Sequence, residues 1–134
     1  MPKSSPGMAS GDIAYITIQP KTVTECGLSP ADVEALNGGV DAGGIHKAYA
    51  TATRAVLRTA SSMLGQLGAR EASLLTVMVW LRDAEAGVSG FTEAWSEWIG
   101  DDEPPGVVVL EAKGPVPGVP LALNMTAYAG SDQD

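Results

Sequence analysis

Residues 49–67, YATATRAVLRTASSMLGQL, form the stretch of sequence that decides the fold. Its apolar residues recur at spacings of three and four, which is the pattern of a helix with one buried face. Gly68 ends this helix, and its start is expected several residues before Tyr49, after Gly43-Gly44. Residues 74–81, LLTVMVWL, follow and are nearly continuously apolar, which is typical of a strand covered on both faces. The sequence therefore predicts a long helix that leads into a buried strand.

The remaining segments complete the predicted order of elements. They are a strand over 13–18, a short helix starting near 29–30, a helix over about 89–99, and strands over 107–111 and 121–128. Since each long helix is followed at once by a strand, we expect two helices on one face of a mixed sheet. The other sheet face still carries valines and leucines, and the sequence offers no third long helix to cover it. Self-association is expected to bury that face.

Length and composition limit the classes of protein. The 134 residues suit a single domain, with residues 1–10 and 130–134 expected to be loosely held. Hydrophobic residues make up 45% and charged residues 18%, which is an ordinary globular balance. The net charge of −8 disfavours nucleic acid and anionic membrane surfaces as partners, because both attract basic patches.

The cysteine and histidine content bears on location and metals. The single cysteine, Cys26, cannot form an intramolecular disulfide, which fits a reducing compartment. A single histidine, without CxxC or HExxH spacing, argues against a metal centre. The N-terminal MPKSSPGMASGD has no apolar signal core, and no apolar run is long enough to span a bilayer. We expect a cytoplasmic protein, and the abundance of Ala and Gly suggests a bacterial source.

Short motifs occur in a fixed order along the chain. Residues 11–17, GDIAYIT, form an apolar strand that starts at a glycine and ends in a small hydroxyl residue, and residues 53–57 read TRAVL. The next strand closes with Leu81-Arg82-Asp83, an L-x-D pattern. An aromatic helix and a proline turn follow at Trp95, Trp98-Ile99-Gly100 and Pro104-Pro105. In this order and spacing the motifs resemble the Rid family, the YjgF-type reactive intermediate deaminases, over about residues 11–129.

The resemblance implies a fold, an assembly and an activity. The fold would be α+β and chorismate-mutase-like, assembled as a homotrimer with ligand clefts between subunits. Members of the family hydrolyse reactive enamines and imines without a metal or an organic cofactor, so no cofactor is expected. In them an arginine that opens the strand after the proline turn grips the substrate carboxylate. A last-strand glutamate orients water, and a tyrosine near the N-terminus helps to close the site.

This sequence departs from the family pattern at those positions. The arginine position falls on Gly106, or on Val107 if the strand is slipped, and neither can make a bidentate contact with a carboxylate. The glutamate position falls on Thr126, or on Asn124 if slipped by one pleat. The tyrosine and a second-helix asparagine fall near Ser4 and Thr92. Ordinary imino-acid hydrolysis is therefore not expected.

A cleft at the family's usual place would have an apolar wall with a few neutral hydrogen-bonding groups, which suits a small, mostly apolar, uncharged ligand. The expected substrate-binding residues are Tyr15, Thr17, Val107, Val108 and Leu110. The expected catalytic residues are Glu111, Asn124 and Thr126, with Glu111 as general acid or base because it ends an apolar strand. The alternatives are that Glu111 points to water and that the polar residues face solvent or a subunit.

Other chemistry-bearing residues have simpler interpretations. His46 is expected to be an exposed or capping residue, and Cys26, beside Glu25, a structural thiol. Trp95 and Trp98 lie on one helix face and are expected in the core. The glycine pairs 38–39 and 43–44 are expected to be flexible loop joints, without the context of a phosphate loop.

Three functions remain open at this level. The first is a divergent Rid-like enzyme that carries out cyclisation, elimination, isomerisation or hydrolysis, in specialised biosynthesis. The second is an imine or enamine deaminase whose anchor has moved to Arg54, Arg82 or Lys113. The third is a non-catalytic protein that binds a small molecule on the same scaffold.

Overall fold

The computed structural model describes residues 13–38, 40–69, 74–101, 105–112 and 118–128. The strands are β1 (Ile13–Ile18), β2 (Leu74–Leu81), β3 (Gly106–Glu111) and β4 (Leu121–Tyr128). The helices are α1 (Pro30–Gly38), α2 (Ala42–Gln66) and α3 (Ala84–Ile99), with a short 3-10 turn at Thr24–Cys26. The chain ends expected to be loosely held lie outside the described residues.

The four strands form one mixed sheet in the order β1-β4-β2-β3. β4 is antiparallel to both of its neighbours, β1 and β2, whereas β2 and β3 are parallel. A parallel pair needs a crossover, and α3 provides it between β2 and β3. The predicted α+β class with a mixed sheet is confirmed.

The long helices cover one face of this sheet, as predicted. β4 alternates strictly, with Leu121, Leu123, Met125 and Ala127 buried toward the helices. On the helix side, Tyr49, Leu57 and Leu64 of α2 are almost wholly buried in the same core. The short helix α1 packs against α2 and adds Val33 and Leu36 to the edge of the core.

The expected burial of β2 on both faces is not found within the chain. Val77, Val79 and Leu81 are buried against the helices, whereas Thr76 and Met78 on the opposite face are exposed. The described part of the chain has one helical layer, and it leaves the apolar residues of the second sheet face uncovered.

Two helix starts differ from the predictions. α2 begins at Ala42, so Gly43-Gly44 lie in its first turn and are not a loop joint. The side chain of Asp41 caps this turn by accepting the N–H of Gly44 at 3.1 Å. α3 begins at Ala84 rather than near Ser89, because Asp83 caps it in the same way through the N–H of Ala86, also at 3.1 Å.

Candidate functional site

The side of the sheet away from the helices is termed the bare face. Residues that pair across neighbouring strands share a face, so the register of the sheet identifies its members. They are Ile13, Tyr15, Thr17, Thr76, Met78, Trp80, Gly106, Val108, Leu110, Ala122, Asn124, Thr126 and Tyr128. Several are apolar and strongly exposed, with Tyr15 60%, Val108 50% and Met78 37% accessible. None of these described residues is charged.

A hollow of about 440 Å³ lies near the middle of the bare face and is termed the central hollow. Five of the predicted site residues line it, namely Tyr15, Thr17, Val108, Asn124 and Thr126. Thr76 and Met78 of β2 complete its floor. The sequence did not single out these two, because they lie in a nearly continuous apolar run that does not reveal which residues face which side.

Two polar pairs organise the floor of the central hollow. The Thr17 hydroxyl donates a hydrogen bond to Oδ1 of Asn124 at 2.6 Å, between neighbouring strands. The hydroxyls of Thr76 and Thr126 are 2.5 Å apart and also hydrogen-bond across strands. The hollow therefore combines an apolar wall with hydroxyl and amide groups that carry no charge, which can orient a neutral polar group but cannot neutralise an ionised one.

β3 contributes to this face through alternate residues only. Gly106 pairs with Thr76, and Thr76 pairs with Thr126, so the three form one row across the sheet. A Cβ added at Gly106 would meet no heavy atom within 4 Å. Leu110 lies on the same face, two residues beyond Val108. Gly106, one of the two positions expected to correspond to the family's arginine, thus faces the same side as Thr126, and it holds no side chain.

The structure does not place Glu111 and Val107 on the bare face with the other predicted site residues. Both lie on the helix side of β3, because Leu81 and Val77, with which they pair, are buried under the helices. Val107 packs against the core. Glu111 accepts the N–H of Ala84 at 2.9 Å, at the start of α3, where a negative charge is favoured by the helix dipole.

Two of the three proposed alternative anchors, Arg54 and Arg82, do not line the central hollow. Arg54, on α2, binds both carboxylate oxygens of Glu97 at 3.0 Å and Oε2 of Glu93 at 2.7 Å, on α3. Hydrogen bonding to Glu97 is the main cause that raises the pKa of Arg54 further above its usual value. Arg82 follows β2, and its backbone N–H donates to the carbonyl of Pro120. Lys113 lies outside the described residues.

His46 belongs to the same contact between helices. Its Nε2 lies 2.6 Å from Oε1 of Glu93, and its Nδ1 lies 2.9 Å from the hydroxyl of Ser89. Hydrogen bonding to His46, and then to Arg54, lowers the pKa of Glu93. His46 is half-exposed and bridges α2 to α3, rather than capping a helix.

The expectations for Cys26 and the tryptophans are confirmed. Cys26 is fully buried, and burial raises the pKa of its thiol to about 11, with a smaller contribution from Glu25. Trp95 is buried and stacks on Phe91, with ring centres 5.9 Å apart. The indole N–H of Trp98 donates to the hydroxyl of Ser61 at 2.8 Å.

The described ranges contain no group of three or more His, Cys, Asp or Glu side chains that could hold a metal ion. None of the helices in these ranges combines the length and the apolar character that crossing a bilayer requires.

The arrangement of strands and helices is that of YjgF-family structures. A YjgF-family protein from Neisseria meningitidis is 16% identical, with 92% of this chain and 85% of that chain covered and a TM-score of 0.67. A proposed endoribonuclease from Klebsiella pneumoniae is also 16% identical, with 91% and 98% covered and a TM-score of 0.69. A YjgF-family protein from Mycobacterium tuberculosis is 25% identical over 59% and 66% of the two chains, with a TM-score of 0.55. No protein-family model and no curated protein matches the sequence.

Proposed function

We propose that this protein is a divergent member of the Rid family that binds and converts a small, largely apolar, uncharged metabolite in the central hollow. The observation that carries the proposal is the lining of that hollow, which is apolar apart from hydroxyl and amide groups. A carboxylate buried there would lack a cationic partner, at a cost of several kcal/mol. A neutral ligand carries no such cost.

The proposed roles follow from the two polar pairs. Thr17 and Asn124 position a polar group of the ligand, and the hydroxyls of Thr76 and Thr126 can relay a proton between ligand and water. Reactions that suit such groups are those in which the ligand supplies its own acid or base, such as cyclisation, elimination or isomerisation, or hydrolysis by a positioned water. Glu111 is left out of the proposed site because of its contact with α3.

The cleft is proposed to be completed by association into a homotrimer. The support is the exposure of Tyr15, Val108 and Met78 beside the hollow, since apolar side chains in such numbers on one surface mark an interaction site. Copies of the chain that cover this face would close the hollow and exclude water from it.

Binding without catalysis is the second candidate function, and one observation favours it. No strongly acidic or basic side chain lines the central hollow among its described residues, and most acid–base catalysis needs one. Cleavage of RNA, which the comparison with the Klebsiella protein raises, receives no support, because the bare face carries no described lysine or arginine for a phosphate backbone.

Product analysis after incubation with a panel of neutral metabolites tests the proposal. We expect Thr126→Val to lower conversion by at least about tenfold while binding persists, since a transition-state contact is lost. Glu111→Gln is the control and should leave conversion unchanged.

Two results would contradict the proposed function. One is release of ammonia from freshly generated iminopropionate at the rate of ordinary family members, which would mean that the site handles a carboxylate. The other is a panel in which neutral compounds bind in the hollow but none is converted, which would favour the binding protein.

A further inference from the structure

A second hollow of about 300 Å³ lies on the bare face beside the central one and is termed the side hollow. It lies where β2 ends and β4 begins, and Trp80, Pro120 and Ala122 contribute to its wall. Gln19, just after β1, lies at its rim. None of these four residues takes part in the function proposed above.

The two hollows meet at the pair of Thr17 and Asn124, which line both of them. This continuity makes them two parts of one groove. A ligand that fills the central hollow and extends past Asn124 enters the side hollow without crossing any other part of the sheet.

The amide of Asn124 defines what the junction recognises. Its Oδ1 accepts the hydroxyl hydrogen of Thr17, so the orientation of the amide is set by that bond. Its NH₂ group has no hydrogen-bond partner among the described residues, although Asn124 is half-buried. Two N–H donors at a half-buried junction favour a ligand with a hydrogen-bond acceptor, and a carbonyl oxygen is the neutral group that fits best.

The side hollow adds a preference for a flat apolar group. The half-buried indole of Trp80 offers a large planar surface, and the small side chain of Ala122 and the ring of Pro120 leave room beside it. The described lining contains no lysine, arginine, aspartate or glutamate, so neither an anionic nor a cationic extension gains an ion pair there.

We propose that the two hollows form one groove for a neutral carbonyl compound, such as an amide, ester, lactone or ketone, whose planar apolar group lies over Trp80. The carbonyl oxygen accepts the N–H groups of Asn124 at the junction. This inference rests on the proposed function in taking the central hollow as the binding site, and it adds the ligand class and a specificity role for Trp80.

Three small probes test it on the whole chain: hydrocinnamamide, hydrocinnamate with a carboxylate in place of the amide, and propionamide without the ring. Dissociation constants come from ligand-observed NMR titration. We expect hydrocinnamamide to bind at least about tenfold more tightly than hydrocinnamate, because the junction lacks a cation for the carboxylate. Propionamide should bind at least about fivefold more weakly than hydrocinnamamide, because it leaves Trp80 uncovered.

Variants assign these preferences to residues. Trp80→Leu should reduce hydrocinnamamide binding toward that of propionamide, and Val88→Ala, which removes an exposed apolar side chain on α3 in the helical layer, should not. Asn124→Leu should weaken hydrocinnamamide binding by at least about tenfold, because it removes the N–H donors for the carbonyl oxygen. Asn124→Ala removes the same donors without adding bulk or charge, so it should also weaken hydrocinnamamide binding if Asn124→Leu does not fold.

Four results would overturn the inference: no binding of any probe, equal binding of amide and carboxylate, equal losses in Trp80→Leu and Val88→Ala, or hydrocinnamamide binding that is unchanged in both Asn124→Leu and Asn124→Ala. Failure of the proposed function can be distinguished from failure of this inference. If the probes behave as expected but no neutral compound is converted, the ligand class stands and the enzymatic activity does not. If Thr126→Val abolishes conversion while the probes do not bind as expected, the enzymatic activity stands and the ligand class does not.

Discussion

Gly106 shows how one residue can decide which ligands a site accepts. It opens β3 in the same row as Thr76 and Thr126, and an added Cβ there has open space around it. We expect Gly106→Arg to fold normally and to place a guanidinium beside the central hollow. The variant should shift the preference of the probes from hydrocinnamamide toward hydrocinnamate, measured by the same NMR titration.

Thr92→Arg is the control for added charge, because Thr92 is exposed on α3 in the helical layer. It should leave the preference unchanged. If Gly106→Arg leaves it unchanged as well, the row of Gly106, Thr76 and Thr126 is not part of the binding site.

The buried thiol of Cys26 leads to a prediction on alkaline pH. Its pKa is raised from 9.0 to about 11, so the folded chain holds this proton more tightly than the unfolded chain. The resulting stability is fully present below the unfolded value and is lost as pH rises through about 11. Between pH 9.0 and about pH 11, Cys26→Ala should therefore lose less stability than the wild type, as measured by urea unfolding. Rapid labelling of native Cys26 by a thiol reagent near neutral pH would contradict the burial on which this rests.

At the scale of elements, the contact between α2 and α3 depends on two glycines. A Cβ at Gly90 would lie 2.5 Å from the backbone oxygen of His46, and one at Gly87 would lie 2.5 Å from the ring of Tyr49. Gly90→Ala should destabilise the protein by about 1–3 kcal/mol through overpacking, although alanine favours helices by about 1 kcal/mol. Gly65→Ala, in α2 with nothing within 4 Å, should be neutral or stabilising by up to about 1 kcal/mol. Urea unfolding measures both, and equal effects would contradict the close approach.

The ion pairs at the outer surface of the contact between α2 and α3 should make the stability of the fold depend on acidic pH. Hydrogen bonds to Arg54 and His46 lower the pKa of Glu93, and those to Arg54 lower the pKa of Glu97. Carboxyl groups with lowered pKa stabilise the fold above their ordinary pKa, and this contribution is lost as pH falls through the lowered value. Arg54→Met should therefore lower Tm near neutral pH, and this effect should become smaller as the pH falls below the ordinary pKa of a glutamate. Arg58→Met, on an exposed part of α2, should show no such pH dependence, and a constant difference for Arg54→Met would argue against ion pairing.

The alternation of each strand explains how much of the fold and site the sequence could predict. β4 alternates clearly, so the shared face of Asn124 and Thr126 follows from the sequence. β1 is apolar at all positions but Thr17, and the face of Thr17 is established only by its pairing with Asn124. β3 reads GVVVLE, whose consecutive apolar residues do not reveal which face is buried, so the sequence does not show on which side of the sheet Glu111 lies. Which residues of β3 face the helices is determined only by its pairing with β2. The start of α3 was missed because glycines that allow close helix packing resemble helix breakers in a single sequence.

At the scale of the whole molecule, the two sides of the sheet differ in what they can do alone. The helix side forms a complete core, with Leu81, Leu123 and Val79 fully buried. The bare face joins exposed apolar side chains to the central and side hollows. A groove on such a surface is shallow in the single chain, so its affinity for a small ligand depends on cover from partner copies. Ligand binding and assembly should therefore strengthen each other.

The proposed homotrimer can be tested with two matched valines. Val108 lies on the bare face and is 50% exposed, and Val88 lies on α3 in the helical layer and is 40% exposed. Val108→Lys places a charge where the copies would meet, so it should yield monomers and weaken hydrocinnamamide binding, whereas Val88→Lys should change neither property. Sedimentation velocity gives the mass, and circular dichroism establishes that both variants fold. A wild type that sediments as a monomer at micromolar concentration, or dissociation caused by Val88→Lys alone, would mean that the bare face serves something other than copies of this chain.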